Sequence, residues 1–509
     1  MTKTSLFALL ILLVAAPSSA AETPNIVYIL ADDLGYGDLS HAGGKAPTPH
    51  CDRLAREGLR FTDAHTTSSV CTPTRYGILT GRYNWRSRLK KSVFFNPHEQ
   101  PLIPASRPTV ASLLKQQGYH TACIGKWHLG IGWKFLEQPP KLTSDQKGQG
   151  WDIDYAQSAV TPTSVGFDYF YGIQASLDMA PYVYIENDKA VTPATVTKAF
   201  HRPGAASADF EAVDCLTRWA EHSVAYIDQR AQAKERQPFF LYLPLTSPHT
   251  PIVPSKAWQG KSGFGSYGDF LMETDWVVGE VLQALERNNL TKDTLVIFTA
   301  DNGCSPAAKI PQLIKSGHKP NGDWRGHKAD IYEGGHRVPF IVRWPGHVTA
   351  ASSSDRTLCT TDMFATAAAI VGQPNTAEDS FSFLPTLLGQ DQDDRGITIH
   401  HSINGSFAIR QGNWKLCLCP GSGGWSAPKP NVALKNRKLP PVQLFNLETD
   451  PAERENVQDK HPDVVEELVG LLANAINNGR TTPGPRLEND GGPNPFPARV
   501  LAAYPDLAN

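Results

Sequence analysis

Cys71-Thr72-Pro73-Thr74-Arg75 places a thiol four positions ahead of a guanidinium, at the head of a run that reads as a helix. A cysteine beside a helix N-terminus and a cation has a lowered pKa and is a candidate nucleophile. The phosphatase version of that chemistry needs five residues between cysteine and arginine and is excluded by this spacing. The plain alternative is a buried structural cysteine, with Thr72 as N-cap and Pro73 at the first helical position. A second set is acidic. Asp32-Asp33 closes the apolar run Ile26 to Leu30, and Asp301-Asn302 closes the run Leu295 to Phe298. Ligands of open α/β sheets sit beyond the carboxyl ends of the strands, so these four side chains can converge. Three carboxylates and one amide oxygen form a hard donor set for Ca²⁺ or Mg²⁺. Taken singly, each pair is equally a turn. The third set is basic: Lys126 and His128 in GKWHLG, His249 after FFLYLPL, and Lys328. Each alone reads as a solvated or structural side chain, but together they suit an anionic ester whose leaving oxygen gains charge.

The elements that must position these groups follow a helix-glycine-strand rhythm, the mark of an α/β fold. Helices are predicted over His50 to Glu57, from Val110 to Gly118 and before Leu295, with a short strand ending at Gly125-Lys126. Residues 131–165 and 304–330 read as long loops. Past a polar stretch at GQDQDDRG come hairpin-linked strands, a helix over 462–477, and a Pro/Gly-rich tail that packs as an extended segment. The expected organisation is a segment 1–21, a unit 22–390 and a smaller unit 391–509. Residues 1–21 carry Lys3, an apolar run and small residues before Ala20 and Ala21, the pattern of a secretory signal. No later stretch is long and apolar enough to span a bilayer, so the mature chain is expected to be exported, periplasmic or extracellular. A net charge of −2 over 509 residues offers no basic surplus for nucleic acid. Eight cysteines are too sparse for a disulfide scaffold, and Cys417 or Cys419 could pair only with a distant partner.

With these motifs the chain resembles the type I, formylglycine-dependent sulfatases, arylsulfatase-like members of the alkaline-phosphatase-like superfamily. Cys71-Thr-Pro-Thr-Arg75 followed by Leu79-Thr80-Gly81-Arg82 is similar to the signature by which a maturation enzyme oxidises the cysteine to formylglycine. NIVYILADDLGYGD, GKWHLG, TADNG and Lys328 strengthen the likeness. The resemblance implies a large mixed β-sheet sandwiched by helices, with a smaller C-terminal subdomain of antiparallel sheet plus helix. It implies Asp32, Asp33, Asp301 and Asn302 as ligands of Ca²⁺, with Mg²⁺ possible, and hydrated residue 71 as nucleophile. Arg75 and Lys126 would hold hydrate and sulfate, and Lys328 the sulfate. His249 would protonate the leaving oxygen, and His128 would take a proton in releasing sulfate. The implied activity is sulfate-ester hydrolysis. The alternatives are a phosphomonoesterase, phosphodiesterase or phosphonate hydrolase of the superfamily, and a non-catalytic relative that binds sulfated glycans. A sulfated carbohydrate substrate suits the aromatic and polar side chains of Trp324, Arg325, His327, Asp178, Tyr182, His400, His401 and Trp425, although packing between the two units explains each of them equally well.

Overall fold

The computed structural model describes residues 23–390 and 395–508, so the expected signal segment and part of the GQDQDDRG boundary lie outside the described residues. Asn25–Ala31 is the central strand of a ten-stranded sheet. Thr294–Ala300 pairs parallel with it on one side and Phe239–Pro244 on the other. His120–Lys126 and Tyr169–Ile173 extend the parallel run. Beyond Thr294–Ala300 the sheet turns antiparallel through Phe340–Arg343 and Leu59–Phe61. Every residue of the central strand is buried, as expected of a strand covered on both faces. Val27, Ile29 and Ala31 enter one core with the helices Pro49–Glu57, Cys215–Ala231 and Ser266–Arg287. Ile26, Tyr28 and Leu30 enter the other, with Cys71–Thr80, Val110–Gln116 and Met363–Ile370. The period of two along one strand thus builds both layers.

A separate four-stranded antiparallel sheet runs Ile397–His401, Phe407–Gln411, Trp414–Cys417 and Gln443–Asn446. Helix Pro462–Asn477 covers it through Val465, Leu468, Leu472 and Ile476. The mixed sheet between helices and the antiparallel sheet with its helix are the expected architecture. Two expectations are corrected. The stretch 304–330 carries a helix, Ile310–Lys315, because Pro311 sits in its first turn, where a missing N–H costs nothing. The tail ends in a helix, Ala498–Ala503, whose Val500 is buried in the C-terminal core. All eight cysteines are free and buried, Cys417 and Cys419 included.

Candidate active site

Parallel strands present their carboxyl ends on one edge, and the charged side chains gather there. Asp32 and Asp33 follow Asn25–Ala31, Asp301 and Asn302 follow Thr294–Ala300, Lys126 ends His120–Lys126, and His249 lies five residues beyond Phe239–Pro244. Cys71 is the first residue of helix Cys71–Thr80, and the N-cap is Val70 rather than Thr72. The Thr72 hydroxyl is instead occupied at 3.3 Å by the Phe94 N–H. Arg75 is one turn on from Cys71 and so shares its face.

Lys126 Nζ lies 2.6 Å from Asp32 Oδ2, and Lys328 Nζ 2.6 Å from Asp33 Oδ1. Arg75 grips Asp301 Oδ2 through Nε at 3.0 Å and Nη2 at 2.8 Å, while Nη1 donates to the Lys126 carbonyl. The Cys71 thiol faces Asp32 Oδ1 at 3.7 Å, and His249 Nε2 stands 3.7 Å from Asp33 Oδ2. One ligating atom each of Asp32, Asp33, Cys71 and His249 lie within 4.8 Å of one another. All ten side chains named for catalysis and metal binding are buried.

Charge decides the protonation states. Burial alone pushes Asp32 up, but Lys126, His249, Arg75 and Lys328 outweigh it and hold the carboxyl well below the usual range. Asp301 goes the other way: burial and the neighbouring Asp32 raise it to about 6, against Arg75 and Lys126. Burial also pushes the Cys71 thiol up, more than Lys126 and Lys328 pull it down. The lowered thiol pKa expected at a helix N-terminus is therefore overturned, and no thiolate forms here at neutral pH. His249 is depressed by burial and Lys328, and His128 by burial and Lys126. Both rest as neutral imidazoles. His249 Nδ1 donates to the Thr250 carbonyl at 2.5 Å, and His128 Nε2 to the Phe94 carbonyl at 2.8 Å, which leaves lone pairs on His249 Nε2 and His128 Nδ1.

A divalent cation fits these donors on two observations. Asn302 Nδ2 donates to Asp33 Oδ1 at 2.7 Å, yet Asn302 Oδ1 is buried without a partner among the described residues, an open ligand. Asp301 is crowded by Asp32, a repulsion that a cation relieves. The donors are oxygen, which suits Ca²⁺ or Mg²⁺.

Sequence reasoning overlooked Asp38, although it closes the DDLGYGD stretch. Buried, it accepts from Gly35 N–H and Tyr267 Oη at 2.6 Å and pairs with His318 Nε2 at 2.7 Å, tying down the loop that leaves Asp33. The residues named for sugar contact fall into two groups. Trp324 lies against the Arg337 guanidinium, and Arg325 over Tyr332. His327 meets Ser426 Oγ at 3.0 Å, and the Trp425 N–H reaches Asp330 at 2.8 Å, so exposed Trp425 stands beside the Lys328 loop. His400 and His401 are interior instead. His400 stacks on His336 and uses both ring nitrogens on Thr66 and Thr398, while His401 packs on Phe407; domain packing accounts for them. Asp178 and Tyr182 are buried and bind Arg202.

The family model described as Sulfatase matches residues 24–373. An N-acetylgalactosamine-6-O-sulfatase of Bacteroides thetaiotaomicron is 35% identical over 501 residues, covering 89% of this chain and 93% of its own. Arylsulfatase A of Homo sapiens is 33% identical over 502 residues, covering 94% and 92%. A solved structure from work on the metabolism of multiple glycosaminoglycans by Bacteroides thetaiotaomicron superposes with a TM-score of 0.74 at 34% identity, over 89% of this chain and 99% of that one. The crystal structure of Ps i-CgsB, 23% identical, shares the fold at a TM-score of 0.68 over 92% of this chain and 95% of that one.

Proposed function

The chain belongs to the sulfatase family, hydrolases of sulfuric esters, and from that premise we propose that it removes sulfate from a sulfated carbohydrate through formylglycine made from Cys71. One observation carries this reading. A thiol that burial keeps protonated sits at the centre of three carboxylates, three cations and two neutral histidines, where it is useless as a thiol and well placed as the precursor of an aldehyde hydrate. The family membership sets aside the phosphoesterase and the non-catalytic alternatives.

Asp32, Asp33, Asp301 and Asn302 Oδ1 would hold the cation, read as Ca²⁺, which when bound polarises a sulfate oxygen and lowers the pKa of the attacking hydroxyl. Arg75 and Lys126 orient residue 71, and Lys328 neutralises the sulfate. His249 starts neutral, so it donates from Nε2 only once the charge of the bound ester has raised its pKa. His128 already presents a lone pair on Nδ1 and takes the proton of the second hydroxyl as sulfate leaves and the aldehyde returns. A formylglycine-generating maturation enzyme is the implied partner. Export to the periplasm or beyond rests on residues 1–21, and among the described residues no helix is long and apolar enough to cross a membrane. Residues 22–390 would form the catalytic unit and 391–509 the C-terminal one, which brings Trp425 to the rim. The relative named for N-acetylgalactosamine 6-sulfate favours a sugar substrate.

The test is mass spectrometry of the residue-71 peptide from protein made with and without the maturation enzyme, alongside sulfate release. Activity should track the aldehyde, and Cys71→Ala should fold normally with activity down at least about a thousandfold. High activity from protein bearing only the thiol would overturn the reading.

A further inference from the structure

Two loops hold His128, and both lead to the same surface. Its ring donates to the Phe94 carbonyl, and its backbone N–H to the Gln174 carbonyl at 2.8 Å. The next residue after Phe94 is Phe95, whose ring is 46% exposed. Four residues after Gln174 is Asp178, which accepts from Arg202 Nη1 at 2.6 Å. The Arg202 guanidinium closes the circle at 5.7 Å from the Phe95 ring centroid. Among the described residues its hydrogen bonds leave from Nη1, and the side chain is 41% exposed, so its Nη2 edge faces outward for an anion. Tyr182 Oη anchors the Arg202 carbonyl at 2.6 Å, which fixes the segment.

A lone exposed phenylalanine means little. Here an aromatic face and a guanidinium held in place by a carboxylate share one wall, on the loops that hold a residue proposed to act on the ester. That is the chemistry of an anionic sugar: an apolar ring face for the aromatic and a carboxylate or second sulfate for Arg202. We propose that Phe95, Arg202 and Asp178 form a subsite for the glycan, with Arg202 reading a second anionic group besides the sulfate that is removed. The proposal rests on the sulfatase reading and adds that the substrate carries two negative groups.

Calorimetry with the Cys71→Ala chain tests it, using a chondroitin 6-sulfate tetrasaccharide, which bears sulfate and uronate, and 6-sulfo-N-acetylgalactosamine, which lacks the second anion. Arg202→Gln added to that chain should weaken the tetrasaccharide about tenfold and the monosaccharide less than twofold, the size of one charged hydrogen bond. Phe95→Ala should weaken both about tenfold, and Phe95→Tyr should restore them. An equal loss on both sugars from Arg202→Gln, or no loss from either variant, overturns the subsite. If wild type hydrolyses 4-nitrophenyl sulfate but the Cys71→Ala chain binds neither sugar, the subsite falls and the sulfatase reading stands. If wild type hydrolyses no sulfate ester, that reading falls, and the binding series still decides the subsite.

Discussion

At the scale of single residues, the proposed mechanism gives the two histidines opposite proton duties, and the carbonyls they bond leave Nε2 free on His249 and Nδ1 free on His128. His249 must gain a proton before it can help an alcohol leave, so its loss should hurt poor leaving groups most. His249→Ala is expected to lose about a hundredfold or more on a sugar sulfate and less than about tenfold on an aryl sulfate, whose phenolate leaves unaided. In the proposed mechanism His128 acts after sulfur transfer. His128→Ala should slow both substrates alike and accumulate a sulfated residue 71, seen as added mass in the intact protein during turnover. An adduct trapped by His249→Ala and not by His128→Ala would reverse the assignment. Asp301 carries a second prediction. It is gripped by Arg75 and crowded by Asp32, so Asp301→Ala should lower Ca²⁺ content by elemental analysis and lower turnover with it, and chelation of wild type should be reversed by Ca²⁺. Stoichiometric zinc with activity restored by zinc alone would count against the oxygen-donor assignment.

At the scale of elements, the site depends on close backbone approaches that only glycine permits. A Cβ on Gly303 would stand 1.9 Å from the Gly334 carbonyl oxygen, and the Gly303 N–H bonds the Gly335 carbonyl at 3.0 Å. Backbone cannot yield as a flexible side-chain tip can. Gly303→Ala should therefore shift Asp301 and Asn302, cutting Ca²⁺ affinity and turnover at least about tenfold; unchanged affinity would show that the turn has slack. The same elements show what was legible in the sequence. Buried strands ending in acids could be read because a strand covered on both faces is an unbroken apolar run, and the polar residues that stop it mark the sheet edge. The convergence of Asp32, Lys126, His249 and Asp301 followed from strand ends lying on one edge. What stayed hidden came from tertiary contact. The helix start at Cys71 displaced the expected Thr72 cap because the Thr72 hydroxyl serves Phe94, and the thiol pKa rose because burial outweighed the local dipole and cations. His400 and His401 looked available because nothing local in the sequence shows the seam that buries them.

At the scale of the whole molecule, that seam joins the C-terminal sheet to the main fold through apolar packing, with Trp85 edge-on to Phe407, and through a buried polar cluster. Lys415 lies wholly buried between Glu333 at 3.0 Å and Glu453 at 2.8 Å. Beside them sit His65, His336 and His400, with His65 Nδ1 3.1 Å from His336 Nδ1 and the His400 ring stacked on that of His336. Their ligating atoms are close enough to suggest a metal, but Arg410 and Lys415 lie within 3.0 Å of the outer nitrogens of His65 and His336, and both His400 nitrogens are spoken for. The cluster is structural, and its titration gives a pH dependence whose sign can be worked out. Burial is the largest cause depressing His65, His336, His400 and His401, the last to about 3. The unfolded chain takes up these protons near pH 6.5 while the folded chain refuses them, so this contribution is fully present above about pH 6.5 and is lost as pH falls, down through His401's folded value near 3. Each such histidine costs up to about 1.4 kcal/mol per pH unit. Glu453 and Asp301, raised by burial to about 7 and about 6, act in the opposite sense, because the folded state holds their protons where the unfolded state does not. Within the seam, four depressed histidines against the one raised carboxylate, Glu453, leave its contribution to stability falling on acidification. The urea midpoint measured by fluorescence should therefore be lower at pH 5.0 than at pH 7.5. His401→Asn, which removes one of the four, should narrow the gap between the two midpoints. A midpoint equal or higher at pH 5.0 would mean that the seam accepts protons in the folded state and that its histidines are not held neutral.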